Sequence, residues 1–152
     1  MTDDNPLMTP DPAREIERSR VLDAPRELVL RAWTEAEHLA AWWGPKDFTN
    51  AFEEFDPRPG GAWRFKMLGP NGAEFPNQSV FLEATADRVV IDHVSGPEFR
   101  MFATFEDRGD QTAITILQRF ASAQDCAQVL KFAPTANDEN LDRLEAELAR
   151  MA

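Results

Sequence analysis

His93 is the side chain in this sequence whose type and setting come nearest to those of a catalytic group. It lies within the apolar segment 89–94 and shares a strand face with Val89 and Ile91. An imidazole titrates near neutral pH, so His93 could orient a ligand oxygen or act as a general base. The alternative is a hydrogen-bonded histidine of the core or of a strand end. No second residue in the sequence is identifiable as a group that would orient the ring for catalysis.

Other reactive groups are sparse. The chain has 2 His, 1 Cys and no Tyr. His38 lies beside Glu35 and Glu37 on a polar helical face, where we expect a solvated side chain. The single cysteine, Cys126, excludes an internal disulfide and a zinc site built from cysteines. Because the sequence contains no calcium loop, nucleophile elbow or phosphate-binding glycine loop, we predict neither a metal site nor a cofactor.

Apolar and aromatic side chains offer a binding surface instead. Trp63, Phe65 and Met67 alternate with two basic residues, which is typical of a strand with one apolar face. Trp42 and Trp43 end a short helix, so at most one of them can point fully inward, either as the lip of a cavity or as a plug in the core. The predicted ligand-binding residues are Trp42, Trp43, Trp63, Phe65, Met67, Phe81 and His93.

The elements that position these side chains follow from hydrophobic periodicity. Residues 14–22 are compatible with a strand, and two short helices are predicted after it, capped by Asp23 and Thr34. Between residues 48 and 120 the pattern has period two and is interrupted by short turn signals such as Asn71-Gly72. Short turns join antiparallel neighbours, so the sequence predicts one antiparallel sheet of about seven strands.

The C-terminal part is helical. Ser122 begins the first segment as a cap, and Pro134 should break or kink the helix. Leu141, Leu144 and Leu148 then recur on one side of a long amphipathic helix. An antiparallel sheet with one wet face can bury this helix only against its other face. Since a twisted sheet of seven strands curls, we expect a cavity between the sheet and the helix.

Length and charge limit the number of domains and the kinds of partner that the chain can have. The 152 residues suit a single α+β domain over residues 14–152, preceded by a disordered lead-in at residues 1–13 that is rich in Asp and Pro. A formal charge of −11 repels phosphate backbones and anionic lipids, which argues against nucleic acid and membrane partners. No apolar run approaches a membrane span, and the first residues do not resemble a targeting signal, so we predict a cytoplasmic location.

Several motifs together resemble the SRPBCC (START/Bet v 1-like) superfamily, and within it the bacterial branch related to the activator of heat-shock-protein ATPase. They are Asp23-Ala24-Pro25, Trp42-Trp43-Gly44-Pro45, Arg58-Pro59-Gly60-Gly61 and Leu141-Asp142-Arg143-Leu144. The likeness extends over roughly residues 14–150. It implies the helix-grip fold, in which a curved antiparallel sheet wraps around a long C-terminal helix and two short helices follow the first strand.

The functional interpretation that follows is the binding of a small apolar or aromatic molecule between the sheet and the C-terminal helix, without catalysis. Two alternatives remain open. One is an enzyme of the cyclase or hydratase kind that uses His93, and the other is a protein-interaction module like the co-chaperones of this superfamily. The sequence does not decide between a monomer and a homodimer, and a contact with a chaperone stays an open alternative.

Overall fold

The computed structural model describes residues 6–152. Its strands are β1 Glu15–Leu22, β2 Thr49–Phe55, β3 Ala62–Leu68, β4 Glu74–Ala84, β5 Arg88–His93, β6 Phe99–Arg108 and β7 Gln111–Phe120. Its helices are α1 Arg26–Thr34, α2 Ala36–Trp42, α3 Ala123–Leu130 and α4 Ala133–Met151. The strands form one antiparallel sheet in the order β1-β7-β6-β5-β4-β3-β2. The predicted α+β helix-grip fold is confirmed.

The sheet curves around α4. The strand register shifts between Phe52 and Glu54 in β2 and between Phe81 and Glu83 in β4. Such bulges bend a strand and increase its twist. The concave face receives the apolar stripe of α4, whose side chains Leu141, Leu144 and Leu148 are almost fully buried.

Pro134 marks the beginning of the long helix and does not bend it. Ser122 caps α3 as predicted, because its Oγ accepts a hydrogen bond from the backbone N–H of Asp125 at 3.0 Å. The chain then leaves the helix at Lys131 and Phe132, and α4 begins at Ala133. A proline is tolerated in the first turn of a helix because the N–H that it lacks would have no helical partner there. The predicted break is therefore present, and α4 can run without interruption along the sheet.

The predicted caps of the first two helices are wrong, although both helices are present. Pro25 and Glu35 occupy the cap positions, and neither makes a side-chain cap hydrogen bond. The hydroxyl of Thr34 instead donates to the carbonyl of Leu30 at 2.8 Å and closes the last turn of α1. None of the helices in residues 6–152 has both the length and the apolar character required to cross a bilayer.

The stretch 6–13 contacts the domain. Leu7 is buried, Pro12–Arg14 forms a 3₁₀ turn, and Arg14 donates from Nη1 to the carbonyls of Pro6 and Phe120. The sequence predicts a disordered lead-in at residues 1–13 because the stretch is short and rich in Pro and Asp. Besides Arg14, Arg119 of β7 contacts this stretch, since its Nη1 donates to the carbonyl of Leu7 at 3.2 Å. Residues 1–5 of the predicted lead-in lie outside the described residues.

Candidate ligand-binding cavity

A cavity of about 480 Å³ lies between the concave face of the sheet, the first half of α4 and the loop that follows α2. This volume is within the range of small-molecule sites. Phe132 lines the cavity and is 62% exposed, so the cavity reaches the protein surface beside it. The apolar walls are formed chiefly by Trp43, Phe48, Met67, Phe99, Met101 and Phe132.

Three of the seven predicted ligand-binding residues line this cavity: Trp43, Met67 and His93. The other four are Trp42, Trp63, Phe65 and Phe81, which are at most 1% exposed and are not part of the lining. They are core residues because the concave space is divided. One part is filled by closely packed rings, and the other part is the cavity.

Trp63 is at the centre of the filled part. Its ring stacks on Phe65 with centroids 4.5 Å apart, and it meets Phe81 at 5.9 Å. On the other side it makes an edge contact with Trp43 at 5.0 Å. Trp43 is therefore the boundary between the two parts, with one side in the core and another on the cavity.

The loop that carries Trp43 is held by Arg143 of α4. The guanidinium donates from Nη1 to the carbonyls of Trp43, Gly44 and Pro45 at 2.9–3.0 Å, and from Nη2 to the carbonyl of Ala41 at 2.9 Å. These carbonyls come after the end of a helix or in its last turn and lack helical donors. One arginine thus satisfies four acceptors and fixes the aromatic wall of the cavity to the long helix.

Gly44 has a φ of +95°, a conformation that residues with a Cβ atom seldom adopt. We expect Gly44→Ala to lower the free energy of unfolding by roughly 1–2 kcal/mol through this backbone strain. A Cβ at this position would also lie 2.8 Å from Cε of Met67 in the cavity wall. The change should therefore weaken the binding of cavity probes as well. Thermal denaturation and a fluorescent-probe titration measure the two effects.

Gly72 provides the matched control for this substitution. Its φ is +84°, and a Cβ there would have no neighbour within 4 Å. Gly72→Ala should therefore lose a similar amount of stability without any change in probe binding. Equal probe binding by the two alanine variants would contradict the assignment of Gly44 to the cavity wall.

His93 lines the cavity, but both of its ring nitrogens are engaged within the protein. Nδ1 lies 2.9 Å from the carbonyl oxygen of Pro97, and Nε2 lies 2.7 Å from Oδ1 of Asn77 and 3.5 Å from Oγ of Ser95. The imidazole also stacks on Phe99 with centroids 4.6 Å apart. The carbonyl of Pro97 can only accept, so Nδ1 donates to it; Nε2 of the neutral ring can then accept from the hydroxyl of Ser95, and from Asn77 only if that carboxamide is turned to present its NH₂ group. The geometry is that of a structural wall residue that ties β5 to the following loop.

Burial lowers the pKa of His93 below its ordinary value, and the hydrogen bond to Pro97 opposes this effect only in part. The unfolded chain therefore binds a proton more readily than the folded one. We expect the free energy of unfolding to be highest above about pH 6.5 and to fall as the pH decreases from there towards the folded pKa. Urea denaturation between pH 8 and pH 5 measures this slope. His93→Gln should reduce it, whereas an unchanged slope in that variant would contradict the assignment.

Comparison with known proteins shows to which family the chain belongs. A family model described as activator of Hsp90 ATPase homolog 1-like protein matches residues 23–149. The chain belongs to this family. A comparison with curated proteins finds no match.

Solved structures of bacterial proteins share this fold. A protein from Nitrosomonas europaea is 24% identical, with a TM-score of 0.85 over 95% of this chain and 100% of that one. A protein from Chromobacterium violaceum is 25% identical, with a TM-score of 0.79 over 87% of this chain and 95% of that one. The AHSA1 protein from Silicibacter pomeroyi is 17% identical, with a TM-score of 0.76 over 91% of this chain and 99% of that one.

In this member of the activator-homolog family, His38 is not solvated as expected. Its side chain is 18% exposed, and Nδ1 lies 2.7 Å from Oε2 of Glu147, which is itself buried. Burial alone would raise the pKa of Glu147, but hydrogen bonds with His38 and Arg150 outweigh it and hold the pKa below its ordinary value. The expectation failed because it considered only the helix that carries His38, whereas the partner comes from α4.

Glu35, Glu37 and His38 are a candidate group of metal ligands, since their ligand atoms lie within 4.8 Å of one another. Two of these three side chains already have a short contact with another residue of the protein. Glu35 accepts from Arg31 at 2.8 Å, and His38 is paired with Glu147. The arrangement is accounted for by these ion pairs.

Sequence reasoning missed four carboxamides of the cavity lining: Asn77 of β4, Gln118 of β7, and Asn137 and Asn140 of α4. Nδ2 of Asn137 donates to Oε1 of Gln118 at 3.1 Å. The sequence contains a signal for Asn137 and Asn140, because residues 137, 140, 141 and 144 follow helical spacing and so share one side of α4. Two amides on the side that faces the sheet predict a polar patch there.

Proposed function

We propose that this member of the activator-homolog family binds a small, largely apolar or aromatic molecule in the cavity between its sheet and α4. The observation that carries the proposal is an apolar cavity of about 480 Å³ beside a core that is otherwise filled. Apolar side chains that line a space open to solvent contact water, and an apolar ligand that displaces this water is favoured by the hydrophobic effect. A ligand with an aromatic body would make such contacts with Trp43, Phe99 and Met101.

The geometry favours binding over the two alternatives. Catalysis by His93 would need a ring nitrogen that is available to a substrate, and both nitrogens have protein partners. A protein-interaction module would need an apolar surface apart from the cavity. Phe132 borders the cavity itself, so ligand entry accounts for its exposure; the other exposed large apolar side chains in residues 6–152 are spread over separate segments of the chain, namely Met8, Val21, Phe75, Val94 and Leu130. The acidic charge and the single Cys126 suit a cytoplasmic location, which we include in the proposal.

The test is a titration with 1-aminoanthracene, an uncharged fluorophore with an apolar body. We expect saturable binding to the wild-type chain. Ala136 lines the cavity from α4, so Ala136→Trp should fill part of the space and abolish binding. Ala146 is exposed on the same helix, and Ala146→Trp is the matched control that should bind normally. Absence of saturable binding to the wild type, or equal binding by both variants, would overturn the proposal.

A further inference from the structure

The polar part of the cavity lining is uncharged. Besides Asn77, whose carboxamide is hydrogen-bonded with His93 and the carbonyl of Phe75, three carboxamides, Gln118, Asn137 and Asn140, lie among its aromatic and thioether walls. Gln118 lies on the concave face of the sheet, in β7, and is only 7% exposed. No Asp, Glu, Lys or Arg is among the residues in 6–152 that line the cavity.

The hydrogen bonds of these carboxamides are incomplete. A carboxamide offers two N–H donors and one carbonyl acceptor. A single hydrogen bond links Asn137 to Gln118, so whichever way the two groups are oriented, the pair retains one NH₂ group and one carbonyl oxygen. Neither remaining group has a hydrogen-bond partner among residues 6–152. Oδ1 of Asn140 is buried without a hydrogen-bond partner among residues 6–152, whereas the remaining groups of the pair are not fully buried.

These unpaired groups favour a partner of a particular kind. A ligand that covers them without hydrogen-bonding them leaves each one desolvated at a cost of about 1–3 kcal/mol, and a ligand that supplies both a donor and an acceptor avoids that cost. A charged ligand would lose its hydration without gaining a counter-charge from the lining. His93 does not supply one, because burial lowers its pKa and favours the neutral ring.

Resting on the proposed function, we infer that the ligand is a neutral molecule with an apolar or aromatic body and a head group that both donates and accepts hydrogen bonds, such as a carboxamide or a lactam. The carboxamides of Gln118, Asn137 and Asn140 recognise this head group. The aromatic walls hold the body. The site thereby discriminates against hydrocarbons, which leave the amides unpaired, and against carboxylates, which bring an uncompensated charge.

The test compares three probes that share one aromatic body: naphthalene-2-carboxamide, 2-methylnaphthalene and 2-naphthoate. Each displaces bound 1-aminoanthracene from the wild-type chain at pH 7.5. We expect the carboxamide to bind about tenfold or more tightly than the hydrocarbon, which corresponds to one satisfied hydrogen bond or slightly more. The naphthoate should be the weakest of the three.

Substitutions assign the preference to the carboxamides. Asn140→Leu and Gln118→Met replace each amide with an apolar side chain of similar size, so both should bring the carboxamide and the hydrocarbon to similar affinities. Gln124 is exposed on α3, and Gln124→Met is the matched control that should keep the full preference. Circular dichroism verifies that each variant is folded.

The outcomes distinguish failure of the inferred head group from failure of the proposed binding function. The comparison of the three probes uses the wild-type chain alone, so it does not depend on the folding of any variant. Equal binding of carboxamide and hydrocarbon would overturn the inferred head group and leave the proposed binding function standing. Tightest binding of the naphthoate would overturn the inferred neutrality. If 1-aminoanthracene itself shows no saturable binding to the wild-type chain, the proposed function fails.

Discussion

Replacing Trp63 with alanine is expected to lower the free energy of unfolding by about 3–5 kcal/mol, the range for large core aromatics. Trp63 is fully buried, and its ring stacks on Phe65 and makes an edge contact with Trp43. Removing it would leave a void beside the cavity wall that these neighbours can fill only by moving. Urea denaturation followed by circular dichroism measures the loss.

Phe132 provides the contrasting substitution. Its ring is 62% exposed at the mouth of the cavity, so Phe132→Ala should cost less than about 1 kcal/mol of stability and mainly reduce probe affinity. A loss below about 1 kcal/mol for Trp63→Ala would contradict the division of the concave space into a packed core and a cavity. The two variants together distinguish stability from binding.

The strands could be predicted because each carries its own local pattern. Trp63, Phe65 and Met67 alternate with polar neighbours, and a strand with one buried face leaves that signature whatever surrounds it. Pro134 likewise marks a helix boundary through its own covalent structure. The helix caps were harder to predict, because Asp23 and Thr34 have the right chemistry for a cap and the backbone does not present a donor to either of them.

The cavity could be predicted only in part. Alternation places Trp63, Phe65 and Met67 on one face, but it does not show that Met67 borders an open space while Trp63 and Phe65 lie in a packed cluster. That division depends on where α4 crosses the sheet, which is a tertiary property. The pairing of Asn137 with Gln118 joins residues of different elements and is equally invisible to local patterns.

Arg143→Met should be the most informative change outside the core. The guanidinium donates to four carbonyls at the end of α2 and in the following loop. Hydrogen bonds to a charged group contribute about 1.5–3 kcal/mol each, but part of this network is solvent-exposed, so water can replace some of them. We therefore expect a loss of about 2–3 kcal/mol in the free energy of unfolding. Probe affinity should fall as well, because Trp43 would lose its attachment to α4.

Two further variants make this expectation specific to the geometry of the arginine. Arg143→Lys keeps the charge but lacks the planar fork that reaches several carbonyls at once, so it should restore little of the stability. Arg108 is 51% exposed and, within residues 6–152, its one ion pair is with Glu106 beside the β6–β7 turn, so Arg108→Met should change stability by less than about 0.5 kcal/mol. Full stability and probe binding in Arg143→Lys would mean that a point charge is enough to hold the wall. If Arg143→Met also retained both, the aromatic wall would be held by Asn50, whose Nδ2 donates to the carbonyls of Ala40 and Trp43 at 3.0 and 2.9 Å.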